Sequence, residues 1–335
     1  MKTLKKLLKL LPLLPVVLLL SGCEGKKEAP PAENLPPAYE IAKMDSLPKF
    51  DSLKVYDLVK KQVEFGPRVS GTPSYEKAKK FIIDELVKTG ATVKQQEFEA
   101  TVPWGERLKF TNIIASFRPE LEKRILLSAH WDSRPHADQE ADSSKHKTPI
   151  PGANDGASGT AVLIHLAEIL GKTPPSVGID IVLFDAEDYG ESGSLAGYCI
   201  GSKYFASNNP LTVKPRFGIL LDLVGDREAV YMREPVSNHY AGDIVELVWR
   251  YAQSVGNTRF KDFVSQEIYD DHVPLNEVGI KTIDIIDAGL VGGRSQDPRR
   301  NYWHTLKDDM SNISAGTLYD LGRVLTGLVY SIRIN

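Results

Sequence analysis

Gly178-Ile179-Asp180-Ile181-Val182-Leu183-Phe184 runs directly into Asp185-Ala186-Glu187-Asp188. The apolar run has strand length and is too short for an amphipathic helix, so it reads as a buried strand. Such a strand delivers two adjacent carboxylates, Glu187 and Asp188, to its C-terminal end. Successive strand-end side chains point different ways, so one can grip a metal while its neighbour carries a proton. In open α/β sheets, sites form at these strand ends.

Working outward, helical patterns at 53–65, 75–89, 157–170, 240–256 and 315–332 alternate with strand patterns at 93–102, 108–117, 124–130, 178–185, 217–224 and 281–287. The alternation predicts a three-layer α/β/α sandwich around a mixed, mostly parallel central sheet. The pair spanning 93–117 supplies an antiparallel edge. Residues 137–151 are polar and aperiodic, which reads as an exposed, mobile loop beside the site. No composition break after residue 49 divides the rest, so 49–335 reads as a single catalytic domain.

The 335 residues are 42% hydrophobic and 25% charged, an ordinary globular composition. The formal charge of −3 includes Lys2, Lys5, Lys6 and Lys9, so a chain cleaved after residue 22 is more acidic still. An acidic chain with no basic stripe excludes nucleic acid as the main partner. Residues 1–22 read as a signal peptide, a lysine-rich start before an apolar stretch from Leu10 to Leu20. That stretch falls short of the ~20 apolar residues of a membrane span. Leu20-Ser21-Gly22-Cys23 resembles a bacterial lipobox, which implies cleavage before Cys23 and lipid attachment to its thiol. The implied partner is a lipid bilayer, and the implied location is the bacterial cell envelope, facing the periplasm or exterior. Residues 23–48, rich in Pro, Glu, Lys and Ala, read as a flexible tether. Cys199 is the only other cysteine, so with Cys23 acylated no intrachain disulfide forms.

A catalytic zinc takes three protein ligands from N, O or S donors and keeps one position open. Asp155 in Gly152-Ala153-Asn154-Asp155-Gly156, Asp188, and His304 in Trp303-His304-Thr305 are the candidates. Each is ordinary alone. An Asp in Asn-Asp-Gly is commonly a turn residue, and Glu-Asp after a strand is commonly a helix N-terminal acid pair. The joint order His130-x-Asp132, Asp155, Glu187-Asp188, Asp222, Asp271-His272, His304 carries the signal.

With Ala129-His130-Trp131-Asp132-Ser133, Leu220-Leu221-Asp222-Leu223-Val224-Gly225 and Asp270-Asp271-His272-Val273-Pro274, these segments resemble the zinc-dependent aminopeptidase superfamily, and within it the glutaminyl cyclases. The resemblance implies one zinc per chain on Asp155, Asp188 and His304. It implies acid–base and positioning work for Glu187, Asp222 and Asp271, with Asp271 beside Glu187 or the substrate. Trp303, and with it Trp131, would wall the pocket of a peptide substrate bearing an N-terminal glutamine. His130 and Asp270 would stand behind the site or serve a second metal. Asp188 departs from the family pattern, where Glu is usual, and its shorter stem draws the metal nearer the strand. Two other readings compete. One is a secreted dinuclear zinc aminopeptidase, with His130 and Asp222 as further ligands. The other is a non-catalytic lipoprotein that binds peptides, against which the retained Glu187 argues.

Overall fold

Every residue of Gly178–Phe184 is buried, and the layers build outward from its two faces. Ile179, Ile181 and Leu183 enter one apolar cluster, and Val182 and Phe184 enter another. This is the period-two alternation of a strand covered on both sides.

The structure is a computed structural model and describes residues 38–191, 193–293 and 295–335. Its elements are β1 (Tyr39–Ile41), α1 (Ser52–Glu64), α2 (Pro73–Lys88), β2 (Thr92–Thr101), β3 (Arg107–Phe117), β4 (Arg124–His130), α3 (Ala157–Lys172), β5 (Gly178–Phe184) and α4 (Ile200–Ser207). They continue with β6 (Phe217–Asp222), β7 (Tyr231–Arg233), α5 (Pro235–Ser254), β8 (Phe260–Val264), α6 (His272–Glu277), β9 (Thr282–Ile286), α7 (Ala315–Ser331) and β10 (Ile332–Ile334). The six-stranded sheet has the order β2-β3-β5-β4-β6-β9. β2, β3 and β5 pair antiparallel; β5, β4, β6 and β9 pair parallel. The mixed sheet and its antiparallel edge therefore match the sequence reading. Because four parallel strands end together, His130, Asp185 and Asp222 arrive at one edge. Helices α1, α2, α3, α5 and α7 supply the larger cluster, whereas Phe205 of α4 and Leu275 of α6 cover the other face.

Helix boundaries follow their caps. Asp51 accepts hydrogen bonds from the backbone N–H groups of Leu53 and Lys54 at the start of α1. α5 begins earlier than its apolar pattern, because Glu234 caps it and Pro235 occupies its first position. The short β7, β8, α4 and α6 carry too few residues to show a period.

Two expectations need correction. Residues 23–48 are not tether throughout: Tyr39–Ile41 pairs antiparallel with Ile332–Ile334, and the Tyr39 ring meets Phe217 edge-on at 5.2 Å. The fold therefore begins inside the Pro-rich stretch, because β10 offers it a strand edge. Residues 1–22, Cys23 and the first part of the tether lie outside the described residues. The 137–151 loop is also not wholly exposed. Ala137 and Ile150 are fully buried, and the backbone N–H of Gln139 donates to the carbonyl of His304.

A buried ion pair joins the far end of the central strands. Arg124 donates to both oxygens of Asp180 at 2.7 and 2.8 Å. Its remaining N–H groups serve the carbonyls of Phe117, Arg118, Leu121 and Ile179. Replacing Asp180 with Ala strands this guanidinium, and urea unfolding should show a loss of about 3–5 kcal/mol.

Candidate active site

Among the described residues five non-glycine residues adopt left-handed backbone, and three of them carry or adjoin site groups: Ala186 (φ 54°), Leu223 (φ 50°) and His304 (φ 56°). Each such conformation costs on the order of 1–3 kcal/mol and persists only where its surroundings fix it. After β5 that support is visible. The Asp185 carboxylate accepts from the Tyr75 hydroxyl at 2.5 Å and from the Thr111 and Ala186 N–H groups at 2.6 and 2.8 Å. Asp132 then accepts from the N–H groups of Glu187 and Asp188 at 3.2 and 3.3 Å. The next two carboxylates are thereby aimed at the pocket.

Asp155 is held from behind by Asp308, whose two oxygens accept from the Asn154 and Asp155 N–H groups at 2.8 and 3.1 Å. The turn demands glycine next. Gly156 has φ +95°, and a Cβ there would stand 2.2 Å from the Asp132 carbonyl oxygen.

Ligand-capable atoms of Asp155, Asp188 and His304 lie within 4.8 Å of one another, and all three residues are buried. His304 Nε2 stands 3.4 Å from Asp188 Oδ1 and 3.7 Å from Asp155 Oδ2. Asp155 Oδ2 and Asp188 Oδ2 are buried without a hydrogen-bond partner. Burying unpartnered carboxylate oxygens is costly unless a cation joins them. Burial and the Arg134 charge push His304 down to about 4, which keeps its imidazole neutral, as a metal ligand must be. Two carboxylates and one neutral imidazole fit a catalytic zinc.

Arg134 and Asp138, which sequence reasoning missed, brace this set. Arg134 donates to Asp188 Oδ1 at 2.6 Å and to both Asp138 oxygens at 2.9 and 2.8 Å. Asp138 Oδ1 lies 3.4 Å from His304 Nδ1. One fork therefore orients two ligands, and it grips the short Asp188 stem directly. The spacing of Arg134 and Asp138 in a polar stretch offered no periodic signal.

The triad opens on a pocket of about 360 Å³, whose wall includes Glu187, Tyr198, Asp222, Ile268, Asp270, Ile286, Val291 and Trp303. Glu187 is beside the triad, and its carboxyl is held well above the usual range by burial first and by Asp188 second. His130 Nε2 lies 3.1 Å from Asp222 Oδ1 and 3.2 Å from Asp155 Oδ1. Burial opposes charge on this imidazole, yet Asp132, Asp155 and Asp222 together push its pKa well above the ordinary value.

Two placements differ from the sequence reading. Trp131 is no pocket wall; it is fully buried, donates Nε1–H to the Thr111 carbonyl and packs on Tyr75. Asp270, rather than Asp271, lines the pocket, because Asp271 turns into the fold at the start of α6, where it is fully buried. Asp270 is pushed up to about 7 by burial and then by Asp222.

The peptidase family M28 model matches residues 112–329, the span that holds Arg134, Asp138, Asp155, Glu187, Asp188, Asp222, Asp270 and His304. The chain belongs to peptidase family M28. Within the family, it is 40% identical to a solved glutaminyl cyclase from Bacteroides thetaiotaomicron, with a TM-score of 0.79 and coverage of 85% of this chain and 99% of that one. A glutaminyl cyclase from Tannerella forsythia superposes with a TM-score of 0.80 at 38% identity, covering 84% and 99%. The bovine glutaminyl-peptide cyclotransferase is 24% identical over 296 residues, 77% of this chain and 76% of its own length. In this M28 chain the Asp155–Asp188–His304 set is braced by Arg134 and Asp138. Replacing Arg134 with Lys, or Asp138 with Asn, should weaken zinc about 10- to 100-fold in chelator competition, since residues that orient ligands carry effects of that size.

Proposed function

We propose that this protein is a glutaminyl-peptide cyclotransferase, converting N-terminal glutamine of peptides or proteins to pyroglutamate with release of ammonia. The observation that carries the reading is the Asp155–Asp188–His304 triad with Glu187 beside it on one pocket wall. The chemistry supplied by zinc bound there is Lewis-acid polarisation of the substrate's γ-carboxamide carbonyl. The attacking group is the peptide's own α-amine, so one metal per chain suffices and no water nucleophile is required. Glu187 takes the proton from that amine as the ring C–N bond forms. It passes the proton to the carboxamide nitrogen as the old C–N bond breaks, and ammonia leaves. Trp303, Ile268 and Val291 hold the folded-back glutamine against the triad, and that orientation supplies much of the rate. Asp222 stays tied to His130, and Asp270 takes the place beside Glu187 that the sequence suggested for Asp271.

Replacing Glu187 with Gln should abolish ammonia release from a Gln-initiated peptide while zinc content stays at one per chain. Stripping zinc with a chelator should stop turnover, and zinc readdition should restore it. Glu187 must be ionised to act as a base. A cation in the triad offsets the contribution of Asp188, whereas the burial contribution remains. The acid limb of kcat/KM should therefore have its midpoint above 4.5, the value of a free glutamate.

A dinuclear aminopeptidase is the second reading, favoured by the closeness of His130 to Asp155 and Asp222. Near two zinc per chain and free leucine released from a Leu-initiated peptide would establish it. We further propose a lipid anchor at Cys23, on the strength of Leu20-Ser21-Gly22-Cys23. Replacing Cys23 with Ala should move the protein from the membrane fraction to the soluble fraction.

A further inference from the structure

We infer that Cys199 is a positioning residue that fixes the Glu187 carboxylate through its thiol. The inference rests on the role given to Glu187 above. Segment 198–200 runs alongside 186–188. Asp188 and Tyr198 form an antiparallel bridge, the Cys199 N–H donates to the Glu187 carbonyl at 2.8 Å, and the Ile200 N–H donates to the Ala186 carbonyl at 3.0 Å. This ladder sets Cys199 directly behind Glu187. Its Sγ donates to Glu187 Oε1 at 3.7 Å. Among the described residues this is the one hydrogen bond to that carboxylate.

Local structure does not explain a cysteine here. The residue caps α4 in left-handed backbone, φ 56°, yet no side-chain hydrogen bond caps that helix. Glycine or asparagine would suit the backbone better, and serine or aspartate would cap better. The thiol is also fully buried, so it serves no surface role. What it does reach is the proton carrier. A glutamate has three rotatable side-chain bonds, and a base must stay within hydrogen-bond reach of its proton. Holding Oε1 leaves the second oxygen to serve the substrate. A thiol is a weak donor, so it orients the carboxylate without binding it as tightly as a charged partner would.

Cys199→Ala and Cys199→Gly remove the donor, and the glycine form suits the positive φ should alanine fail to fold. Cys199→Ser keeps a donor. Steady-state kinetics on a Gln-initiated peptide should show kcat about 3- to 10-fold lower for the donor-free variants, the size of one lost hydrogen bond. KM and zinc content should stay at wild-type values, and Cys199→Ser should recover most of kcat. Wild-type kcat in the donor-free variants overturns the inference. So does equal slowing of all three, which would mean packing alone, or a change confined to KM. Glu187→Gln is assayed alongside; if it keeps full turnover, the role of Glu187 fails instead, and the two failures are told apart.

Discussion

Two buried carboxylate oxygens brought together without a hydrogen-bond partner are the constraint around which this structure is organised. Asp155 Oδ2 and Asp188 Oδ2 are buried and unpartnered beside a neutral imidazole. Bringing like charges together in a low-dielectric interior is unfavourable unless something positive lies between them. The surrounding cations reach only the outer oxygens, Arg134 at Asp188 Oδ1 and His130 at Asp155 Oδ1. Asp308 fixes the backbone of Asp155, Asp132 fixes that of Asp188, and neither Oδ2 gains a hydrogen-bond partner. The fold thus holds the negative set rigid and leaves its inner face for a cation.

The shorter ligand at position 188 becomes intelligible through Arg134. An aspartate has fewer rotors than a glutamate, and the guanidinium clamps it at Oδ1, the oxygen that also faces His304. The same guanidinium, through Asp138, reaches the imidazole of His304. Ligand geometry is therefore set by a connected ion-pair network rather than by three independent side chains. Left-handed backbone at Ala186, Leu223 and His304 belongs to the same economy, since strain concentrated at a site must be held by the structure around it.

Much of this was legible in the sequence. The 178–184 strand declared itself by an unbroken apolar run, and the parallel strands with their long helices by alternation. The triad was readable because Asp155, Asp188 and His304 sit in motifs that bind together across the chain. What was not legible has a common physical cause. Arg134 and Asp138 lie in an aperiodic polar loop, where nothing local separates a buried ion pair from a solvated one. Asp270 and Asp271 are neighbours in a turn, and only the path of α6 decides which faces the pocket. Trp131 and Trp303 both flank site residues, yet Trp131 follows a central strand into the core and gives its indole N–H to Thr111. β1 was hidden because its partner, β10, lies at the other end of the sequence.

That last pairing has a spatial consequence. Tyr39 rests on Phe217 and donates its hydroxyl to the Arg216 carbonyl, at the beginning of β6. The metal-binding groups collect where the parallel strands finish. The polypeptide therefore enters the domain at the pole opposite the pocket mouth. β1 is thereby fixed at the base of the sheet, a full strand length away from the residues that line the pocket.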